Sequence, residues 1–581
     1  MKRLSVRLLP LLALAALPAA ARAQAPADRW SRLALPRTHA PRPTTAAITT
    51  ADLMTRLYIL ADDSMKGRLL ARPENAKGVE YVAAELRRLG LEPGGDDGTF
   101  FQTIPLVERV VDDGATLTVN GATLRAWTDY LPRDNGPGAR SLDGVQVIYG
   151  GSMSDSLHMV DTLAVAGKLV VVTMGPTFVG NPPGTANRPA LTRRYRRAAG
   201  IAFAGLGRIP ESSLAQYREP LQMMRGTPGP SLPAYLYVTP EAAAHLLGAD
   251  PASLQPGAAG GTVSGSPGFV ERPSAVPARN VVAILRGSDP VLGREFVAIG
   301  AHNDHIGTLG AASVAHDSMY VVNHLFRPSG ADDPDPQLTP EQQRQVNQQL
   351  AEVRRRTGGA SAREDSIFNG ADDDGSGTVS ALEIAEYFAS RPRPKRSLVF
   401  VWHVGEEEGL YGSEYFTDHP TVPREQIVAQ LNMDMIGRGA GDDVTGQAKD
   451  GGLLHGGPGY VQLVGARRLS TELGDLAETV NRTGRHGLRF DYAMDANGHP
   501  QNIYCRSDHY EYARYGIPII FFTTGGHADY HQVTDEPQYI DYERMAQVAG
   551  FVADLADHVA NLDHRPVVDH PRPDPHGNCV Q

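Results

Sequence analysis

Strongly apolar runs recur through the second half of this chain, and each leads into a polar segment. NVVAILRG (280–287), EFVAIGAH (295–302), SLVFVWHVG (397–405), IVAQLNMDMIG (427–437) and IPIIFFTTG (517–525) are apolar at successive positions. Strands with that pattern are buried on both faces of a sheet. Helical spacing lies between them, at 379–390 and 456–473. Strand–helix alternation predicts an α/β protein, a three-layer sandwich around a mixed, mostly parallel sheet.

The first half is less uniform. Thr50-Ala51-Asp52 opens an amphipathic helix with Leu53, Leu57 and Leu60 on one face, and 76–90 is a second helix closed by Gly90. Strand-like segments follow near 101–109 and 115–120. From 128 to 270 the texture changes to short β-type runs (VQVIYG, KLVVVTMG, IAFAGLG, PAYLYVT) between Gly and Pro turns. That stretch reads as an inserted domain, with 249–280 as its exit linker, interrupting a body built from 47–127 and 278–562. A polar, Gln- and Arg-rich piece at 311–367, helical over 339–356, is expected to form a rim or lid; a solvated excursion is the plainer alternative. Residues 24–46 read as a mobile leader and 563–581 as a loose tail.

Residues 1–23 carry the pattern of a secretory signal. Lys2, Arg3 and Arg7 precede the apolar run Leu8 to Ala21, and Ala21-Arg22-Ala23 is a small-x-small cleavage site. The expectation is export to a periplasmic or extracellular space. No later segment is long and apolar enough to span a bilayer. The chain has 581 residues, too many for one core, and a net charge of −11, which disfavours a nucleic-acid partner. Its two cysteines, Cys505 and Cys579, are not a disulfide scaffold, and spacing leaves open whether they are bonded.

The polar segments hold the chemistry. His302 ends a strand, where an imidazole opening into a cleft suits zinc; Asp304, two residues on, is placed to hold the ring's other nitrogen. NGADDDGSG (369–377) crowds three aspartates before a turn and a helix. A calcium loop fails on register, because Gly375 as the sixth position puts Gly370 and Ala381 at the first and twelfth. Asp374 or Ser376 can cap the helix, but capping does not need three acids, and like charges crowd at a cost unless a cation is present. Asp373 is the candidate bridging carboxylate.

In GEEEGLYGS (405–413), Glu406 is the candidate general base and Glu407 the ligand, since neighbouring side chains point different ways. Asp434, alone among apolar neighbours, needs a partner that a metal would supply. His531 follows a turn, with Asp535 near it as a candidate acceptor behind the site. Tyr530 can donate to an oxyanion or simply pack. Ser507 or Asp508 caps a helix, while Arg506 can reach the cleft.

These segments, AHNDH, GADDDGSG, GEEEGLYGS, LNMDMIG, RSDHYEYARYGIP and DYHQVTD, make the chain resemble the secreted double-zinc aminopeptidases of metallopeptidase family twenty-eight over 45–127 and 278–560. The 128–270 stretch is similar to a protease-associated (PA) domain, mainly through AGKLVVVTMG. The resemblance implies two zinc ions per chain. His302 and Asp434 would bind one, Glu407 and His531 the other, with Asp373 bridging, Glu406 as base, Tyr530 at the oxyanion and Arg506 near the substrate's amino end. It implies peptide substrates with a free N-terminus and a hydroxide shared by the metals. A carboxypeptidase or dipeptidase on the same fold is the alternative; a single-zinc glutaminyl cyclase or a non-catalytic binding protein fits the complete ligand set less well. Oligomeric state and the preferred residue are not readable from these residues.

Overall fold

A computed structural model describes residues 35–581 except 134–137, 154, 175–187, 210–213, 215–216, 219, 226–230 and 358–362. The signal-like segment 1–23 and the leader up to residue 34 lie outside the described residues. The remaining leader residues are pinned rather than mobile: Thr44 donates to Glu386 at 2.7 Å, and Tyr58 donates to the carbonyl of Pro36.

Seven strands build the body's main sheet: β1 (Arg279–Leu285), β2 (Phe296–His302), β3 (Ser397–His403), β4 (Ile427–Met433), β5 (Tyr460–Val464), β6 (Arg489–Asp491) and β7 (Ile519–Thr523). Their order is β1-β3-β2-β4-β7-β5-β6, and short segments at 92–93 and 101–103 pair with β1. β3, β2, β4 and β7 run parallel; β1 pairs antiparallel with β3, and β5 pairs antiparallel with β7 but parallel with β6.

Alternation on the apolar strands explains the layers. Leu398, Phe400 and Trp402 of β3 enter one core; Val399 and Val401 enter another on the opposite face. The first core packs under α1 (Thr50–Leu60), α2 (Pro73–Leu89), α3 (Gly377–Ala389), α5 (Thr471–Gly484) and α7 (Tyr542–Asn561). The second packs under α4 (Tyr411–Asp418) and α6 (His509–Ala513). Each fully buried Leu or Phe contributes about 2 kcal/mol through removal from water. This is the three-layer α/β sandwich around a mixed sheet. α2 ends at Gly90, whose φ of 72° a side chain disfavours.

Two element expectations are corrected. Residues 456–473 are not a helix: 460–464 is the strand β5, and the helix starts at Thr471. Residues 249–280 are not a linker, because 259–265 and 269–273 are paired strands.

The second sheet is eight-stranded among the described residues and spans Thr116 to Gly265, with an apolar core on each face. It therefore starts before residue 128. Strands 106–111 and 269–273, on the way in and out, pair antiparallel as a neck. The stretch 311–367 forms a helix at His316–Phe326 and another at Pro340–Thr357, which share a small core with Tyr539.

The tail is also corrected. Arg565 donates to Glu295 at 2.7 Å, Val567 N–H to Glu472 at 2.8 Å, and Gln581 accepts from the N–H of Tyr504 at 3.0 Å. Cys579 is disulfide-bonded to Cys505 across 74 residues. Closing a loop of that length restricts the unfolded chain, worth roughly 2–4 kcal/mol. Cys505→Ser is therefore expected to lower the melting temperature measured by scanning calorimetry, and reductant should lower it for wild type but not for the variant.

Candidate metal centre

The parallel strands β2, β3, β4 and β7 end on the same edge of the sheet, where open α/β sheets place their ligands. His302 is the last residue of β2, and Asp434 directly follows β4. His302 is 1% exposed and Asp434 7%.

The three aspartates divide their work. Asp372 Oδ1 accepts the N–H of Gly437 at 2.6 Å. Asp374 accepts the N–H of His302 at 3.0 Å and that of Gly377 at 2.8 Å, joining β2 to the start of α3. Asp373 alone points into the cluster, and the peptide bond between Asp373 and Asp374 is cis. Behind it, Asp535 accepts the N–H groups of Asp372 and Asp373 at 3.0–3.1 Å. So Asp535 orders the aspartate turn rather than the ring of His531.

Asp304 also departs from expectation. The Nδ1 of His302 meets the carbonyl oxygen of Asp304 at 3.1 Å, whereas the carboxylate is 3.8 Å away and accepts the N–H groups of Gly405 (2.7 Å) and Glu406 (3.3 Å). Its side chain shapes the glutamate loop. The capping expectation for Ser507 and Asp508 is likewise revised. Ser507 donates to Asp434 at 2.8 Å, and Asp508 lies 3.3 Å from His403 and makes no cap hydrogen bond.

All five expected ligand side chains converge. His302 Nε2 lies 3.2 Å from Asp373 Oδ1 and 3.7 Å from Asp434 Oδ1. His531 Nε2 lies 2.9 Å from Asp373 Oδ2 and 3.0 Å from Glu407 Oε2. The two groups share Asp373, one carboxylate oxygen to each. Donor atoms around one tetrahedral zinc stand ~3.3 Å apart, given bonds of about 2.0–2.1 Å. His302 Nε2, His531 Nε2 and Asp434 Oδ1 are buried without an aligned hydrogen bond. Orphaned donors at those separations fit a cation.

The electrostatics follow from burial. Desolvation pushes Glu406 well above the usual carboxylate range; Asp434 and Glu407 add to this and His302 opposes it. For Asp373, burial acts upward, but the imidazoles of His302 and His531 beside it hold it well below that range. Burial would lower His531, yet Asp373 and Glu407 raise it to about 10. A cleft opens over the cluster. Glu406, Tyr530 and Arg506 line it, with Met435, Met494 and Phe521 as an apolar wall. The Tyr530 ring stacks on His531 at 4.0 Å, and Arg506 donates to the Tyr530 hydroxyl at 3.4 Å.

Sequence reasoning missed three side chains. His305 is fully buried, with Nδ1 2.6 Å from Glu407 Oε1. Ser507 holds Asp434 as described. Arg68, fully buried, donates to the carbonyl oxygens of Asn303 (3.1 Å), Asn369 (2.7 Å) and Gly370 (2.9 Å), tying two site loops together. The second histidine of AHNDH was the available signal for the first; nothing local marks Arg68.

The 311–367 stretch grips the loop that carries Tyr530 and His531. The N–H of Ala331 donates to the Tyr530 carbonyl at 3.0 Å, and Ser329 and Asp332 line the cleft. His316 and Asp365 meet Glu536 in a buried group that superficially resembles a metal site. Arg363 closes it, donating to Asp365 at 2.8 Å and to both Glu536 oxygens, so a guanidinium already neutralises the acids.

The two donor groups are of a kind that can hold metal ions. Residues 280–556 match the model of peptidase family M28, and this part of the chain belongs to that family. A probable zinc metalloprotease of Leptosphaeria maculans is 38% identical over 73 residues, 13% of this chain and 17% of the relative. A vacuolar membrane protease of Candida tropicalis is 36% identical over 96 residues, 16% of this chain and 10% of the relative. The match thus spans under a fifth of either relative. An aminopeptidase from Aneurinibacillus sp. strain AM-1 is similar in structure at 15% identity and a TM-score of 0.45, covering 90% of this chain and 98% of that one. The vacuolar membrane proteases among the relatives overturn the expectation of periplasmic or extracellular export, since their name gives a vacuolar membrane location. Among the described residues no helix is long and apolar enough to cross a membrane.

Arg363→Leu would leave two buried carboxylates short of a cation. The expected cost is about 3 kcal/mol, read as a lower melting temperature, with turnover falling because the loop bearing His531 loosens. Unchanged melting would show that the clamp adds no stability.

Proposed function

We propose that the chain is a zinc-dependent exopeptidase that removes the N-terminal residue of peptides, with two zinc ions per chain. The observation that carries this reading is the pair of donor groups sharing Asp373, with Glu406 beside them in a half-closed cleft. His302 and Asp434 would hold one ion, His531 and Glu407 the other, and Asp373 both. When bound, zinc supplies Lewis-acid chemistry, acidifying water and polarising the scissile carbonyl.

The remaining steps belong to the chain's own residues. Glu406 lines the cleft with one oxygen 4.0 Å from His302 Nε2. It accepts the proton of the attacking water and delivers it to the leaving amine. The Tyr530 hydroxyl, raised far above its ordinary range by burial with nearby Asp373 and Glu407, stays protonated and donates to the oxyanion of the tetrahedral intermediate. Carboxylates crowded at the cleft floor attract an α-ammonium group, and the apolar wall receives the first side chain. Ser329 and Asp332 complete the lining on the side of the 311–367 stretch.

One observation favours a second reading. Arg506, partly exposed at the cleft and 3.9 Å from Asp332, would suit a substrate carboxylate, as a dipeptidase or carboxypeptidase needs. Unblocked aminoacyl anilides should be cleaved and N-acetylated peptides should not; cleavage of the blocked peptides from their C-terminal end would replace the first reading with the second.

Two further outcomes are expected. Glu406→Ala should retain zinc, measured by elemental analysis, while kcat falls more than ~100-fold, the scale of a lost general base. A strong chelator should abolish activity and lower the melting temperature together, and added zinc should restore both, because binding to the folded state alone stabilises it.

A further inference from the structure

His305 faces the candidate ligand Glu407 and has no part in the mechanism above. Its ring is fully buried. It packs on Gly370, where a Cβ would lie 2.6 Å from two ring carbons. Its backbone N–H donates to the carbonyl of Arg68 at 3.3 Å. The ring therefore has little freedom to turn.

Its Nδ1 stands 2.6 Å from Glu407 Oε1 but 3.8 Å from Asp373 Oδ2. The other glutamate oxygen, Oε2, is the one 3.0 Å from His531. An ionised carboxylate only accepts hydrogen bonds, so Nδ1 carries the proton and donates. The 2.6 Å separation is well below the ~3.3 Å expected of two ligands on one tetrahedral zinc. It is instead close to the length of a charge-assisted hydrogen bond.

We propose that His305 is a positioning residue that occupies Oε1 of Glu407, so that this glutamate meets its metal through Oε2 alone. A carboxylate freed of such a bond can swing to offer both oxygens and fill a coordination position that the reaction needs open. The proposal rests on the two-zinc reading and concerns the Asp373–Glu407–His531 position only.

Two variants remove the donor, His305→Ala and His305→Gln, the amide of the latter reaching the Nε2 position instead. His305→Asn restores it, since its amide nitrogen falls where Nδ1 was. Zinc affinity would be measured by competition with a chromophoric chelator, and the coordination number by the visible spectrum of the cobalt-substituted protein. Circular dichroism would confirm folding of each variant.

One of the two zinc affinities should weaken roughly 10- to 100-fold in the Ala and Gln variants, as for other groups that orient a metal ligand. The cobalt absorption should weaken in the same variants, as coordination number rises. His305→Asn should return both towards wild type. Unchanged affinity and spectrum in folded His305→Ala or His305→Gln overturns the proposal, as does folded His305→Asn that behaves like Ala. A wild-type chain that binds no zinc overturns the two-zinc reading itself, and this inference with it.

Discussion

Six carboxylates brought into one buried place are the constraint from which the rest of this site follows. Asp372, Asp373, Asp374, Glu406, Glu407 and Asp434 all lie at or near the ends of the parallel strands. Desolvating that many like charges is unfavourable unless each oxygen finds a donor or a cation. The chain settles Asp372 and Asp374 with backbone N–H groups, and those bonds lock loop to strand and strand to helix. Asp373, Glu407 and Asp434 are answered mainly by His302, His305, His531 and Ser507. The Nε2 atoms of His302 and His531 do not align with them, and the remaining deficit is what a metal would fill.

The scaffold that tolerates this crowding is local in some places and distant in others. β2 and β4 deliver His302 and Asp434 from the middle of the sheet, where apolar neighbours on both faces hold the backbone. The turn of Asp373 depends on groups far away in sequence. Arg68, close behind α1, reaches the carbonyls of 369 and 370, and Asp535 takes the two amide groups of the turn itself. Replacing apolar contact with such buried polar contacts raises the stakes, since removing one partner leaves another charge or carbonyl unsatisfied.

How much of this could be read beforehand divides along the same line. The apolar strands and their polar ends are periodic features, and His302, Asp373, Glu407, Asp434 and His531 followed from residue type and place in those segments. Residues 456–473 misled because YVQLV is a short apolar run between glycines, where strand and helix patterns cannot be told apart. The strand 269–273 looks like linker because its pairing with 106–111 spans an entire domain. His305 has no local sign of its role, since a second histidine in AHNDH does not say which carboxylate the fold brings to it. Asp304 was given the wrong partner because two residues of spacing do not say whether carbonyl or carboxylate faces the ring. Ser507 looked like a helix cap, and only the fold brings Asp434 to its hydroxyl.

The two candidate positions differ in what holds them, and the insertions explain the difference. His302 and Asp434 stand on core strands. Glu407 and His531 stand on loops, and each loop is buttressed by an excursion from the body. Under the glutamate loop, Val404 and Tyr411 pack with Ile104, Leu106 and Ala278, so the neck of the second sheet bears on it. Over the histidine loop, the 311–367 stretch grips Tyr530 and Glu536. Loops are more mobile than buried strands, so a loop-borne ligand pair needs external bracing to keep a fixed distance from Asp373. Both braces approach Glu406 and Tyr530 as well, because these neighbour the loop-borne ligands in sequence. Changes in either excursion would therefore be felt at the reacting groups before they reached His302 or Asp434.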